Sequence, residues 1–314
     1  MSERIVRVAA AVMRRPDGKV LLAQRPEGKV YAGYWEFPGG KLEPEEAPAG
    51  ALARELREEL GIEVLRAAPW LTREYVYPHA HVELNFFRVL EWRGEPVGHD
   101  RQAFAWQAPD AFTVSPLLPA NAPILAALTL PEIYGITCAA DLGEETLLER
   151  AERACSRGLA MLQIREKDWD FERRGSFARR VVAIARRHQA RVLMNGSESD
   201  ARRLDCDGVH WTEDALMSAK ARPRDLMVGA SCHSRAALER AAALEVDFAV
   251  LGPVRETPTH PFASPLGFDG FERIAARSAV PVFAIGGLTP GDLGSAIDHG
   301  AHGIALRRNA WPIV

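Results

Sequence analysis

An α/β chain of two domains, divided near residue 130, is what the sequence predicts, with residues 131–314 forming a TIM-type (β/α)8 barrel. Three observations carry this. The chain has 314 residues, more than one domain usually spans. Pro131 interrupts the chain between a helical pattern over Asn121–Leu128 and a β-like run, Ile133–Cys138. Beyond it, short apolar runs alternate with amphipathic stretches, giving candidate strands at 132–138, 159–165, 191–195, 207–211, 226–231, 247–252, 280–285 and 302–306. Strands alternating with helices in this number suit a closed parallel barrel, with a doubly wound open sheet as the alternative.

In residues 1–130, Ile5–Met13 and Val20–Gln24 read as strands joined by Pro16-Asp17-Gly18, a hairpin-turn sequence. The run GKLEPEEAPAGALARELREELGI follows, from Gly40 to Ile62. At about 100° per residue, Leu52, Leu56 and Leu60 form one stripe for burial, while Glu55, Glu58 and Glu59 share another face. Pro48 suits the first helical turn and Gly61 its end. Like charges at i,i+4 repel by a few tenths of a kcal/mol, whereas a hard divalent cation converts that cost into affinity. A solvated charged face is the plain alternative, but it leaves Gly39 and Gly40 unexplained. Two adjacent glycines permit a sharp turn and close approach of backbone to a ligand or metal. His81–Trp92 reads as a further strand.

Charge excludes some partners. Residues 1–130 hold 15 of the 39 Lys/Arg and 17 of the 42 Asp/Glu, so neither half is strongly basic. A broad surface for duplex nucleic acid is not expected; a small nucleotide in a pocket is. Cys138, Cys155, Cys206 and Cys232 lack CxxC spacing, the first residues lack a secretory apolar stretch, and no 18-residue apolar run occurs. The expectation is a cytoplasmic protein without a membrane span. Oligomeric state is not readable.

The register Gly40, Glu46, Arg54, Glu55, Glu58, Glu59, Gly61 resembles the signature of the Nudix hydrolases: G, five residues, E, seven residues, then R-E-apolar-x-E-E-x-G-apolar. LLAQRPEG, WEFPGGK, GEPVGHDRQ and LPANAPIL extend the likeness to the MutT branch over about residues 4–128. The resemblance implies an α/β/α sandwich with a mixed sheet. It implies Mg²⁺ or Mn²⁺ held by Glu55, Glu58, Glu59 and the Gly40 carbonyl, with one glutamate as general base and Arg54 orienting a glutamate. Arg25 would reach phosphate, Phe37 and Trp35 would wall the base or sugar, and Asp100 would approach the metal or the attacking water. Asn121 would read the purine edge, its amide offering donor and acceptor; helix N-capping is its other reading. His79-Ala80-His81 departs from the arginine-containing segment of relatives. The implied reaction converts 8-oxo-dGTP, or a related oxidised purine triphosphate, to monophosphate and pyrophosphate, removing a mutagenic precursor.

Residues 132–310 resemble the thiamine phosphate synthase and TenI superfamily through QIREK, GVHW, GPVRETPTH and AIGG, all at predicted C-terminal strand ends. The resemblance assigns Gln163, Arg165, Lys167 and Asn195 to a pyrimidine diphosphate, Thr257 and Thr259 to pyrophosphate or thiazole, and the Gly286 and Gly287 amides to phosphate. Gly196 stands where the synthases carry a metal-binding Asp, His260 replaces a Lys, and strand eight ends in Leu306-Arg307-Arg308. A shortened loop leaves Asp214 as the remaining acidic candidate. This half therefore reads either as synthase or TenI-like chemistry, with Cys232, His233 and His260 as acid/base groups, or as a sensor of a thiamine-precursor phosphate.

Overall fold

The computed structural model describes residues 5–98, 103–257 and 264–311; Asp100, Thr259 and His260 lie outside them. The chain divides into two compact units, residues 1–130 with 276–279, and 131–275 with 280–314.

Seven strands build the first unit: β1 (Val6–Met13), β2 (Val20–Gln24), β3 (Trp35–Glu36), β4 (Gly39–Lys41), β5 (Glu63–Tyr77), β6 (Ala80–Arg93) and β7 (Phe104–Gln107). A mixed sheet runs β4-β1-β6-β5, and a second runs β3-β2-β7. Of the expected β1–β2 hairpin, the turn and one antiparallel bridge, Arg14 to Val20, form, but the two strands enter different sheets. Gly18 N–H donates to the Arg15 carbonyl in that turn, and β1 pairs in parallel with β6 while β2 pairs with β3 and β7. Sequence reading missed β5 because Pro69 and three register irregularities break its twofold alternation.

The residues of β1 explain the layering. Ala9, Ala11 and Met13 pack with Leu52, Leu56 and Leu60 of α1 (Pro48–Leu60), whereas Ala10 and Val12 pack with Ile124, Leu125 and Leu128 of α2 (Ala122–Leu128). A strand buried on both faces loses polar alternation, which is why β1 reads as a continuous apolar run. Each buried α1 leucine contributes roughly 2 kcal/mol. Gly61 ends α1 in the left-handed region at φ 66°, its N–H returning to the Arg57 carbonyl.

The second unit is a closed parallel barrel. Its strands are β8 (Ile133–Ile136), β9 (Met161–Ile164), β10 (Arg191–Asn195), β11 (Gly208–Trp211), β12 (Met227–Cys232), β13 (Phe248–Leu251), β14 (Val282–Ile285) and β15 (Gly303–Leu306), with β15 pairing back to β8. Closure removes the open-sheet alternative. Tyr134, Phe248 and Phe283 pack edge to face or tilted across the interior, with centroids 5.1–6.0 Å apart. No described helix is long and apolar enough to cross a membrane.

Candidate functional site

In the first unit a cavity of about 610 Å³ opens where β1, β4 and β6 meet the start of the Nudix-like segment and α1. Arg54 organises its acidic rim. Its guanidinium donates to Glu46 Oε1 and Oε2 (3.0 and 2.9 Å), to Glu55 Oε1 (2.8 Å), to Glu58 Oε2 (3.4 Å) and to the Lys41 carbonyl (3.1 Å). One planar fork thus locks the loop before α1 to the helix, which a flexible ammonium cannot do. Glu46, given no role by the sequence beyond its place in the register, is Arg54's main partner.

Glu55 and Glu59 line the cavity with Gly39 and Gly40; Glu58 does not, and its side chain is 60% exposed on the Arg54 side. Three carboxylates on one helical face therefore separate into two facing the cavity and one beside it. Among the described residues no group of three acidic, His or Cys side chains is gathered tightly enough to hold a metal. The donor set nevertheless fits a hard cation. Gly40 is pressed so closely to the Glu55 carboxylate that a Cβ there would overlap it, so the backbone at 40 and this hard oxygen donor come together at the cavity wall. Burial lifts the Glu59 carboxyl to about 7, against the Gly39 N–H donated to it, and the Glu55 charge adds to the rise. A buried carboxylate raised in this way gains from a neighbouring cation.

The far end of the cavity is apolar and aromatic. Tyr31, Tyr77 and His79 cluster with centroids 5.4–5.7 Å apart, and Phe37 meets Phe86 edge to face at 5.8 Å. Phe37 is both core and wall, being buried and also lining the cavity. Trp35 sits on β3 and packs against the core without lining it. Arg25 lines the cavity, but Nη1 donates to both Glu36 oxygens (2.6 and 2.8 Å) and Nε to the Val30 carbonyl. Its guanidinium is largely committed to the fold, and Lys29, unassigned by the sequence, is the further cation in the lining.

Asn121 does not cap α2 through its side chain; instead it is 4% exposed, lines the cavity, and its Nδ2 has no hydrogen-bond partner. A buried amide left unpaired costs about 1–3 kcal/mol, so a ligand acceptor is its natural complement.

In the second unit a cavity of about 380 Å³ lies at the C-terminal strand ends. Gln163, Arg165, Lys167, Asn195, Thr257, Gly286 and Gly287 all line it, seven of the eight residues the sequence proposed for this pocket. Glu166 explains the pose of its neighbours. Its buried carboxylate accepts the Ala139 and Ala140 N–H groups (2.8 and 3.2 Å) at the start of α3 (Ala139–Leu142), which anchors the segment after β9 between Arg165 and Lys167. Gly286 and Gly287 take φ of 105° and 65°, and a Cβ on either would collide with the 253–256 segment, so both positions need glycine.

A buried chain of hydrogen bonds crosses the barrel. Gln163 Nε2 donates to the Tyr134 hydroxyl (3.1 Å), which donates to His210 Nδ1 (3.3 Å); His210 then carries its proton on Nε2 and donates to Ser231 Oγ (3.0 Å). Burial, with the Arg165 and Lys167 charges, pushes His210 down to about 3, so the ring is neutral. Ser231 is left with its own hydroxyl proton to offer the cavity.

His233 Nδ1 and its backbone N–H both meet Glu213 Oε2 (2.7 and 2.6 Å). Cys232 is a poor acid/base group, because burial and then the Glu213 charge raise its thiol to about 12. Asp214 does not line the cavity. Arg307 and Arg308 do, and both also reach Asp141 (3.0 and 2.9 Å); sequence reading noted them only as a departure.

Comparison with known proteins divides the chain at the same point. The NUDIX domain family model matches residues 9–127, and the thiamine monophosphate synthase model matches residues 133–310. The chain is 42% identical over 130 residues to a CTP pyrophosphohydrolase of Escherichia coli, covering 40% of this chain and 91% of the relative. It is 39% identical to an 8-oxo-dGTP diphosphatase of Haemophilus influenzae, covering 40% and 92%. Over 180 residues it is 32% identical to a putative thiamine-phosphate synthase 2 of Aquifex aeolicus, covering 57% and 96%.

Proposed function

Because the chain belongs to the Nudix hydrolases through its first unit and to the thiamine monophosphate synthase and TenI family through its second, we propose that it is a metal-dependent nucleoside triphosphate pyrophosphohydrolase joined to a barrel for a phosphorylated thiamine precursor. The substrate proposed for the first unit is an oxidised purine triphosphate of the 8-oxo-dGTP type, released as monophosphate and pyrophosphate. One observation carries this reading: the unpaired, buried Asn121 amide and the Glu55–Glu59 pair line a single cavity. A base acceptor at one end and a polyphosphate at the other satisfy both.

The residues divide the work. Glu55, Glu59 and the Gly40 carbonyl would hold Mg²⁺ or Mn²⁺, with Glu58 near enough through Arg54 to join them. When bound, the ion neutralises polyphosphate charge and acidifies the attacking water. Arg54 fixes the Glu55 carboxylate, and a glutamate of this set takes the proton of that water. Tyr31, Tyr77 and His79 supply a stacking wall, and Asn121 donates Nδ2 to the base. Lys29 lies where a phosphate oxygen needs a counter-charge. Asp100 remains a proposed contributor near the water, and Thr259 one at the barrel's phosphate.

A second reading of the substrate, a pyrimidine triphosphate, is favoured by the E. coli relative named for CTP. A panel of 8-oxo-dGTP, dGTP, CTP and dCTP with Mg²⁺, scored for product identity and kcat/KM, decides between them. Preference for CTP over 8-oxo-dGTP would remove the oxidised-purine reading, and a Glu55→Gln protein as active as wild type would remove Glu55 from the mechanism. In the barrel, release of pyrophosphate on adding both synthase substrates separates turnover, with His233 and Glu213 as its acid/base pair, from binding alone.

A further inference from the structure

The barrel cavity is electrically unlike a magnesium–diphosphate site. A hard divalent cation needs several oxygen ligands, usually including carboxylates. Among the described lining residues Glu213 is the single carboxylate, and its Oε2 is already taken twice by His233. Position 196, where the resemblance expects an aspartate, is glycine at φ 159° and lies outside the lining. The donor set of this cavity therefore does not fit the ion.

Cations fill the opposite role. Arg165, Lys167, Arg307 and Arg308 all line the same 380 Å³ cavity. Neither Arg165 nor Lys167 makes an ion pair with a described carboxylate, while Arg307 and Arg308 share one partner, Asp141, which lies outside the lining. The Arg307 Nε is buried and has no hydrogen-bond partner, so part of its guanidinium fork is unsatisfied. Four cations beside one shared carboxylate in a partly enclosed site leave positive charge in excess, which an anion completes. A phosphate oxygen suits them, because the fork makes paired, charge-assisted bonds to it.

We infer that the barrel holds a phosphate or diphosphate ester without a divalent cation, the Arg307 side chain together with Arg165 and Lys167 providing the neutralising charge. This rests on the reading of the barrel as a phosphate-ligand pocket and adds how the charge is met. Arg307 follows β15, and Arg165 and Lys167 follow β9, with β8 alone between those two strands, so the cations reach one cavity from strand ends that are near neighbours in the barrel.

Binding of inorganic pyrophosphate to the full-length protein, measured by calorimetry in EDTA and again in excess magnesium, tests it. Affinity is expected to persist in EDTA and to fall about tenfold or more in Arg307→Met, the loss of a charge-assisted hydrogen bond, with Arg307→Lys intermediate. Thermal melts of each variant confirm folding. Repeating each titration with the first unit's cavity saturated by a non-hydrolysable nucleotide removes that unit's share of the heat. Barrel binding seen only with magnesium, or unchanged in Arg307→Met, overturns the inference while leaving the phosphate-pocket reading intact; no barrel binding in either medium overturns both.

Discussion

Two adjacent glycines should fail in opposite ways, and the difference tests whether the acidic cradle is what the first unit is built for. A Cβ at Gly40 would overlap Cδ and both oxygens of Glu55, the far end of a flexible side chain. That carboxylate can swing away at small folding cost, but reaching ordinary contact requires a retreat of roughly 1 Å, and misplacement of that size can lower turnover about a hundredfold. A Cβ at Gly39 would instead overlap the Ala9 carbonyl in β1, with φ at 143°, and neither backbone can yield cheaply. Gly40→Ala is therefore expected to melt within a few degrees of wild type yet lose about two orders of magnitude in kcat. Gly39→Ala is expected to lose several kcal/mol of stability. Pyrophosphate release from the preferred nucleotide, with calorimetric melts of the same preparations, measures both. A Gly40→Ala enzyme retaining near wild-type kcat would refute the claim that Glu55 works from this position.

Further outcomes follow from the same geometry. Glu59 sits at about 7 against 4.5 for a free glutamate, so its ionisation opposes folding: the cost is absent below about pH 4.5, grows as pH rises and is complete above about 7. In EDTA, Glu59→Gln should therefore melt above wild type at pH 8 but with it at pH 4, by at most roughly 3 kcal/mol; a constant gap at both would contradict the assignment. Magnesium should shrink that gap at pH 8. Arg54→Lys, keeping charge but not the fork that joins Glu46 to Glu55, should lower kcat about tenfold or more with little change in KM, read by steady-state kinetics. Asn121→Ala should leave the melting temperature nearly unchanged, because Nδ2 has no partner to lose, and raise KM by about five- to tenfold, near 1 kcal/mol. Tyr134→Phe removes the hydroxyl linking Gln163 to His210 and should destabilise the barrel by about 1–3 kcal/mol, with nucleotide hydrolysis unaffected.

Elements set by period and caps were readable: the Leu52–Leu56–Leu60 stripe ending at Gly61, and all eight barrel strands to within a few residues. What depends on long-range pairing was not. Pro16-Asp17-Gly18 makes its turn, yet nothing local tells β1 and β2 to enter different sheets. Among site residues, the register located the acidic helix face, but angular spacing alone could not separate Glu58 from Glu55 and Glu59, since the rim is arranged by a guanidinium reaching back to Glu46. Arg25 looked available because its Glu36 partner is eleven residues away on a neighbouring strand. Tyr31, Tyr77 and His79 come together only through the fold, although the departure at 79–81 marked the place.

The neutrality of His210 sets how the barrel responds to its surroundings. With that ring near 3, it stays uncharged across the range of acidity that a living cell tolerates. Ser231 then has a hydroxyl proton to give at the cavity, and a ligand atom bearing a lone pair is its complement.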